Sequence, residues 1–144
     1  MILKFCLAVF AITGIIHVIF GVIYITADEF MSYHSQALMV SWSSLDSNYQ
    51  TLLLALLKLA GAGGLIAGIV NLSLVLHTLY NRNSQLVWLL SLSSLIFQLT
   101  MNFVVYSVYV NTPGEPPLLA VSIGTALLTT ACTLLIIDKV RNSA

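Results

Sequence analysis

The side chains with chemistry to offer in this sequence are few, and they lie inside apolar surroundings. His17 and Lys58 interrupt long hydrophobic runs, and an ionisable group placed in lipid is costly enough to mark a candidate functional position. Counting helical rise at about 1.5 Å per residue from one end of each run puts His17 roughly 13 Å deep, Lys58 roughly 10 Å, Asn102 roughly 12 Å and Thr125 roughly 10 Å. A shared depth lets the four line one small polar pocket. Gln98 and Tyr106 fall on the same helical face as Asn102. A lysine and a histidine among amides and hydroxyls suit an anionic or carbonyl-bearing ligand, with Asp28, Glu29 and Glu115 as candidate counter-charges. The alternative for Lys58 is a snorkelling side chain at the interface. For His17 it is a neutral core histidine bonded to a neighbouring helix.

Helical spacing selects one small or polar face in each run. The first carries Ala11, Gly14, His17, Gly21 and Tyr24; the second carries Lys58, Gly61, Gly64, Gly68 and Asn71. The third carries Ser91, Ser94, Gln98, Asn102 and Tyr106, and the fourth carries Ser122, Thr125, Thr129 and Cys132. In lipid there is little hydrophobic drive between helices, so close approach over small residues and inter-helix hydrogen bonds hold them together. Gly14, Gly21, Gly61, Gly64 and Gly68 are accordingly expected to pack helices, and packing competes with ligand binding as the purpose of the polar faces.

Other chemistries lack their residues. No His or Cys cluster has metal-ligand spacing, and His17 and His77 lie near opposite ends of their runs, too far apart to share a haem. There is no Cys-x-x-Cys, only Cys6 and Cys132 in apolar stretches, which argues against a quinone-linked thiol oxidase. No phosphate loop, nucleophile elbow or carboxylate pair appears. The runs hold no acid of the kind a small proton-coupled exporter needs. No catalytic residue, metal or cofactor is implied, and the expectation leans away from an enzyme.

The elements that must position these residues follow from composition. Charged residues make up 7% of 144, against about 25% in a soluble domain, too few to solvate a water-facing surface. The net charge is zero, which gives no reason to expect nucleic acid. Four runs, at about 2–26, 51–79, 86–110 and 118–137, each reach the roughly 20 apolar residues that span a bilayer. The expected fold is therefore all-α: one integral membrane domain over 1–144, a four-helix bundle whose short links favour up-down-up-down order. Lys4, Arg82, Lys139 and Arg141 then share one side, and Asp28, Glu29, Asp46 and Glu115 share the other. The excess of basic residues places both termini in the cytoplasm.

The loop over 27–50 is expected outside, with a short interfacial helix or turn built around Phe30, Leu38, Met39, Trp42 and Leu45. Asp46 is the expected N-cap of the second helix. Pro113-Gly114 suits a type II turn, and Pro117 suits the first position of the last helix. Phe30-Met31-Ser32-Tyr33-His34, Trp42-Ser43-Ser44-Leu45-Asp46, the run from Gln50 to Gly61 and Thr112-Pro113-Gly114-Glu115-Pro116-Pro117 resemble a group of small, uncharacterised bacterial inner-membrane proteins with four helices. Ser32, where proline is expected, and Lys58, where arginine is common, depart from that pattern. The resemblance implies a bacterial inner membrane and carries no activity. Small size and the glycine-rich second helix favour an accessory subunit with a protein partner, or a homo-oligomer. The alternative is a binder of a small amphiphile, lipid or quinone, in the polar layer; the third reading is a small transporter or membrane enzyme.

Overall fold

A computed structural model describes residues 2–81 and 84–143, without the side chains of 84, 139, 140, 142 and 143. Arg82 and the Lys139 side chain, two of the basic groups used for orientation, therefore lie outside the described residues. The chain forms α1 (Ile2–Thr26), α2 (Ser32–Leu38), a 3-10 turn at Trp42–Ser44, α3 (Ser47–Asn81), α4 (Ser84–Asn111) and α5 (Leu118–Ser143). No strand occurs among the described residues. α1, α3, α4 and α5 are each long and apolar enough to cross a membrane, so this is a multi-pass membrane protein.

α3 extends past the expected 51–79 at both ends. Asp46 sets its start: the carboxylate accepts the Asn48 N–H at 2.9 Å, and the Asp46 carbonyl accepts the Gln50 N–H at 3.0 Å, an N-cap as expected. At 35 residues the helix is about 52 Å long, well over the hydrocarbon thickness of about 30 Å. Part of α3 must tilt or stand clear of the hydrocarbon.

The tightest helix pair is a glycine seam. A Cβ on Gly21 would sit 2.5 Å from the Leu65 nitrogen, and one on Gly68 would sit 2.7 Å from the Gly14 carbonyl oxygen. Backbone touches backbone there, which only glycine permits. Along the seam Gly14 meets Gly68 and Leu72, while Gly21 meets Gly61 and Leu65. α5 packs on the other side of α1, and α4 meets both α3 and α5, so the four long helices close a ring. The apolar core lies at the end holding the chain termini, built from Leu7, Phe10, Val75, Leu90, Leu128 and Leu135 with Cys6 and Cys132. Both cysteines are free thiols.

The other end is covered by α2. The Pro113-Gly114 pair does not make the expected type II turn, since no described glycine has positive φ, which that turn requires. Gly114 is small for another reason: a Cβ there would lie 2.7 Å from the Tyr33 carbonyl oxygen and 2.9 Å from the Ala37 Cβ. The loop before α5 is thus pressed against α2, and the Glu115 N–H donates to Gln36 Oε1 at 3.2 Å. Pro117 stands just before α5 and acts as its N-cap, its carbonyl accepting the Val121 N–H at 3.1 Å.

Candidate functional site

Four residues of the expected polar layer do meet. Gln98 of α4 is buried at the centre, and its amide nitrogen donates to the Val121 carbonyl at 3.0 Å and to Thr125 Oγ1 at 3.4 Å. That leaves Gln98 Oε1 facing His17 Nε2 at 3.1 Å, so His17 Nε2 is the donor. Asn102 Nδ2 donates to Thr125 Oγ1 at 3.1 Å and to Ser122 Oγ at 3.4 Å. The Thr125 hydroxyl gives its own proton to the Val121 carbonyl at 2.9 Å. Each donor therefore has one consistent direction. The layer ties α1, α4 and α5 together, and Phe97 sits edge-on to the His17 ring with centroids 4.6 Å apart. No fully buried side-chain nitrogen or oxygen lacks a partner among the described residues. A network whose fully buried polar atoms are all paired holds helices together.

The other expected site residues stand outside the layer. Leu57, not Lys58, shares the buried face with Gly61, Gly64, Gly68 and Asn71; Lys58 is exposed. A helix turns about 100° per residue, so a one-position error moves a side chain off the seam. Tyr106 is 55% exposed. Asp28, Glu29 and Glu115 stand in the connections at the α2 end and supply no counter-charge to His17, whose polar partner is Gln98. Asn71 forms a second polar tie, donating to the Phe10 carbonyl at 3.0 Å and accepting from Ser94 Oγ at 3.1 Å.

An apolar space lies one layer nearer α2. A cavity of about 450 Å³ is floored by Phe20 and Leu57, walled by Leu53, Leu56 and Ala60 of α3 and by Met101, Val104, Val105 and Val108 of α4, and roofed by Tyr33, His34, Ala37 and Leu38 of α2. Leu56 and Ala60 of α3, Val104 of α4 and Leu38 of α2 line it and are also exposed, so the cavity is open on its α3–α4 side and beside α2. No lysine, arginine, aspartate or glutamate lines it.

Its polar end is aromatic. The Tyr24 hydroxyl of α1 is hydrogen-bonded to the Tyr33 hydroxyl of α2. The Tyr33 and His34 rings pack at a tilt of 51° with centroids 4.1 Å apart. Phe30, only 7% exposed, anchors the approach to α2 and packs edge-on against Trp42 at 4.9 Å. His34 also closes the first turn of α2: its Nδ1 accepts the Met31 N–H at 3.1 Å, while its own backbone N–H donates to the Met31 carbonyl at 2.8 Å. Burial lowers the pKa of His34 and raises that of Tyr33, so both stay uncharged near neutrality. An apolar chamber with convergent polar groups at one end is the usual form of a small-molecule site.

Tyr24 was visible in the sequence as part of the small face of α1, whereas His34 and Tyr33 as site residues were not. The local signal was the aromatic-rich stretch 30–34; that it folds back over the helix ends is a long-range fact that periodicity does not carry. Among the described residues no group of three His, Cys, Asp or Glu side chains is placed to hold a metal. No family model, curated protein or solved structure matches this chain, so its functional reading rests on the site itself.

Proposed function

We propose that this protein binds a small amphiphile, a lipid or a quinone, which enters its outer cavity sideways from the bilayer. The observation that carries this is the apolar chamber of about 450 Å³, open between α3 and α4 and closed at one end by Tyr24, Tyr33 and His34. An apolar tail reaching in from the hydrocarbon keeps its contacts, and its head meets hydrogen-bonding groups instead of the water interface. The site lies nearer α2 than the polar layer that spacing alone selected.

The placement goes with an up-down-up-down bundle in a bacterial inner membrane, both termini cytoplasmic and α2 on the outer face. The order of contacts along the glycine seam, 14 with 68 and 21 with 61, supports alternation. Asp28, Glu29, Asp46 and Glu115 at the α2 end, with Lys4 and Arg141 near the termini, support the orientation. An accessory subunit or homo-oligomer draws less support, because the glycines that suggested a partner helix are used inside the chain; only Gly63 has nothing near its Cβ position.

Native mass spectrometry of gently extracted protein tests the proposal. The expected spectrum carries one small-molecule adduct per chain, and Val105→Trp, which fills the cavity, loses it while the protein stays folded. An unliganded wild-type chain, or an adduct that persists in Val105→Trp, refutes binding in this cavity.

A further inference from the structure

We infer that the head end of the cavity selects an uncharged carbonyl group, held by two donors: Nε2–H of His34 and one hydroxyl of the Tyr24–Tyr33 pair. This rests on the amphiphile reading above and narrows its ligand to quinones, esters or ketones carrying an alkyl chain.

The argument begins with counting protons. His34 Nδ1 accepts the Met31 backbone N–H at 3.1 Å, so its lone pair is occupied and the neutral ring carries its proton on Nε2. Nε2 has no hydrogen-bond partner among the described residues, and His34 lines the cavity. The two phenols own two hydroxyl protons, and the bond between them uses one. The second has no acceptor among the described residues. Tyr33 and Tyr24 have ring centroids 4.1 and 6.4 Å from that of His34, which sets both spare donors at the same end of the cavity.

The charge of the head follows from what the lining lacks. A carboxylate or phosphate satisfies two donors, but with no cation in the wall its desolvation is uncompensated. An ammonium brings only donors to a site that already has donors to spare. A carbonyl oxygen has two lone pairs, carries no net charge and accepts from both groups at once. Such a head occurs in membrane quinones and in lipid esters, and the two share this chemistry.

Trp42 is a built-in reporter, since it packs on Phe30, which lines the cavity. In Trp88→Phe protein it is the sole tryptophan of the two in the chain. The experiment titrates that protein, in an alkyl maltoside free of carbonyls, with brominated twelve-carbon chains ending in a methyl ester, a benzoquinone, a carboxylate, a trimethylammonium or no head at all. Saturable quenching is expected for ester and quinone, at least tenfold tighter than for the charged and headless chains, as one or two hydrogen bonds supply. Whichever of the two saturates at the lower concentration identifies the source.

His34→Phe is expected to remove about tenfold from the ester and leave the headless chain unchanged. Because His34 also closes the turn into α2, the double variant Tyr24→Phe/Tyr33→Phe is run beside it; it removes both hydroxyls, and ester binding weakens with the Met31–His34 contact intact, whereas either single variant leaves one hydroxyl free to donate and keeps most of the ester affinity. Equal affinity across all heads, or tightest binding of the carboxylate, overturns the carbonyl inference and leaves amphiphile binding standing. The absence of saturable quenching by every probe overturns both.

Discussion

At His34, one backbone amide decides the state of the ring. Protonation requires Nδ1 to give up the Met31 N–H, because both then carry hydrogens, and burial already lowers the pKa below its ordinary 6.5. The groups whose rings face it are Phe30, Tyr33 and Tyr24, and none supplies an anion near neutrality. A depressed basic pKa means that the unfolded chain takes up the proton first as pH falls. His34 therefore supports the docked α2 fully above about 6.5 and progressively less as pH falls from there towards its lowered folded value. Thermal midpoint and ester binding should both decline between pH 7 and 5, and His34→Gln should flatten that part of the profile. A second contrast belongs to the polar layer. Gln98→Leu strands the His17 donor and removes ties to α5, with an expected cost of about 1–3 kcal/mol, above the mean of about 0.6 kcal/mol for single bonds between membrane helices. Lys58→Met, at an exposed position, should stay within about 0.5 kcal/mol, both read by thermal unfolding in detergent. His17 and Gln98 were legible because their spacing puts them on helix seams. Lys58 was the loudest signal; its exposure, with Leu57 in the seam, goes with the snorkelling alternative and not with the pocket.

Among the elements, α1 and α3 were the most legible, since glycines at steps of three and four announce a backbone-to-backbone contact from spacing alone. The start of α3 was legible at Asp46 because a cap is a local interaction. The length of α3 and the docking of α2 were not, because polar residues 47–50 carry no apolar period and α2 is fixed by Gly114, far along the chain. Two substitution pairs separate these roles. Gly21→Ala forces a Cβ to within 2.5 Å of the Leu65 nitrogen, so the helices must part, at a cost of about 1–3 kcal/mol. Gly63→Ala meets nothing within 4 Å and should be neutral, or stabilising by up to about 1 kcal/mol through helix propensity. Thermal midpoints of the two variants give the comparison directly. Gly114→Ala acts elsewhere: its Cβ collides with the Tyr33 carbonyl oxygen and Ala37, lifting α2 without touching the seam. Its expected signature is faster protease cleavage between residues 27 and 46, with little change in the unfolding of the long helices.

At the scale of the whole molecule, the ring of helices is packed at one end and hollow at the other, and the proposed function depends on which end faces out. Cys6 bonded to the Ala131 carbonyl marks the packed end near the termini, and Gly114 against Tyr33 marks the hollow end. The four acids of the connections gather at the hollow end, and Lys4 and Arg141 at the packed one, so in the orientation proposed from the positive-inside rule the cavity opens to the outer leaflet. The molecule offers a quiet background for testing this, because both native thiols are buried, Cys6 fully and Cys132 to 6% exposure. Ser43 and Asn81 are both exposed and lie at opposite ends of this arrangement. With a membrane-impermeant maleimide, Ser43→Cys should label in intact cells, whereas Asn81→Cys should label only after the membrane is opened, and the parent chain in neither condition. The reverse pattern would turn the bundle over and place the cavity in the cytoplasmic leaflet, where its ligand would have to be sought instead. Labelling of both positions in intact cells would mean that α3 does not cross, and the lateral opening between α3 and α4 would then face water, where an apolar tail gains nothing by leaving the bilayer.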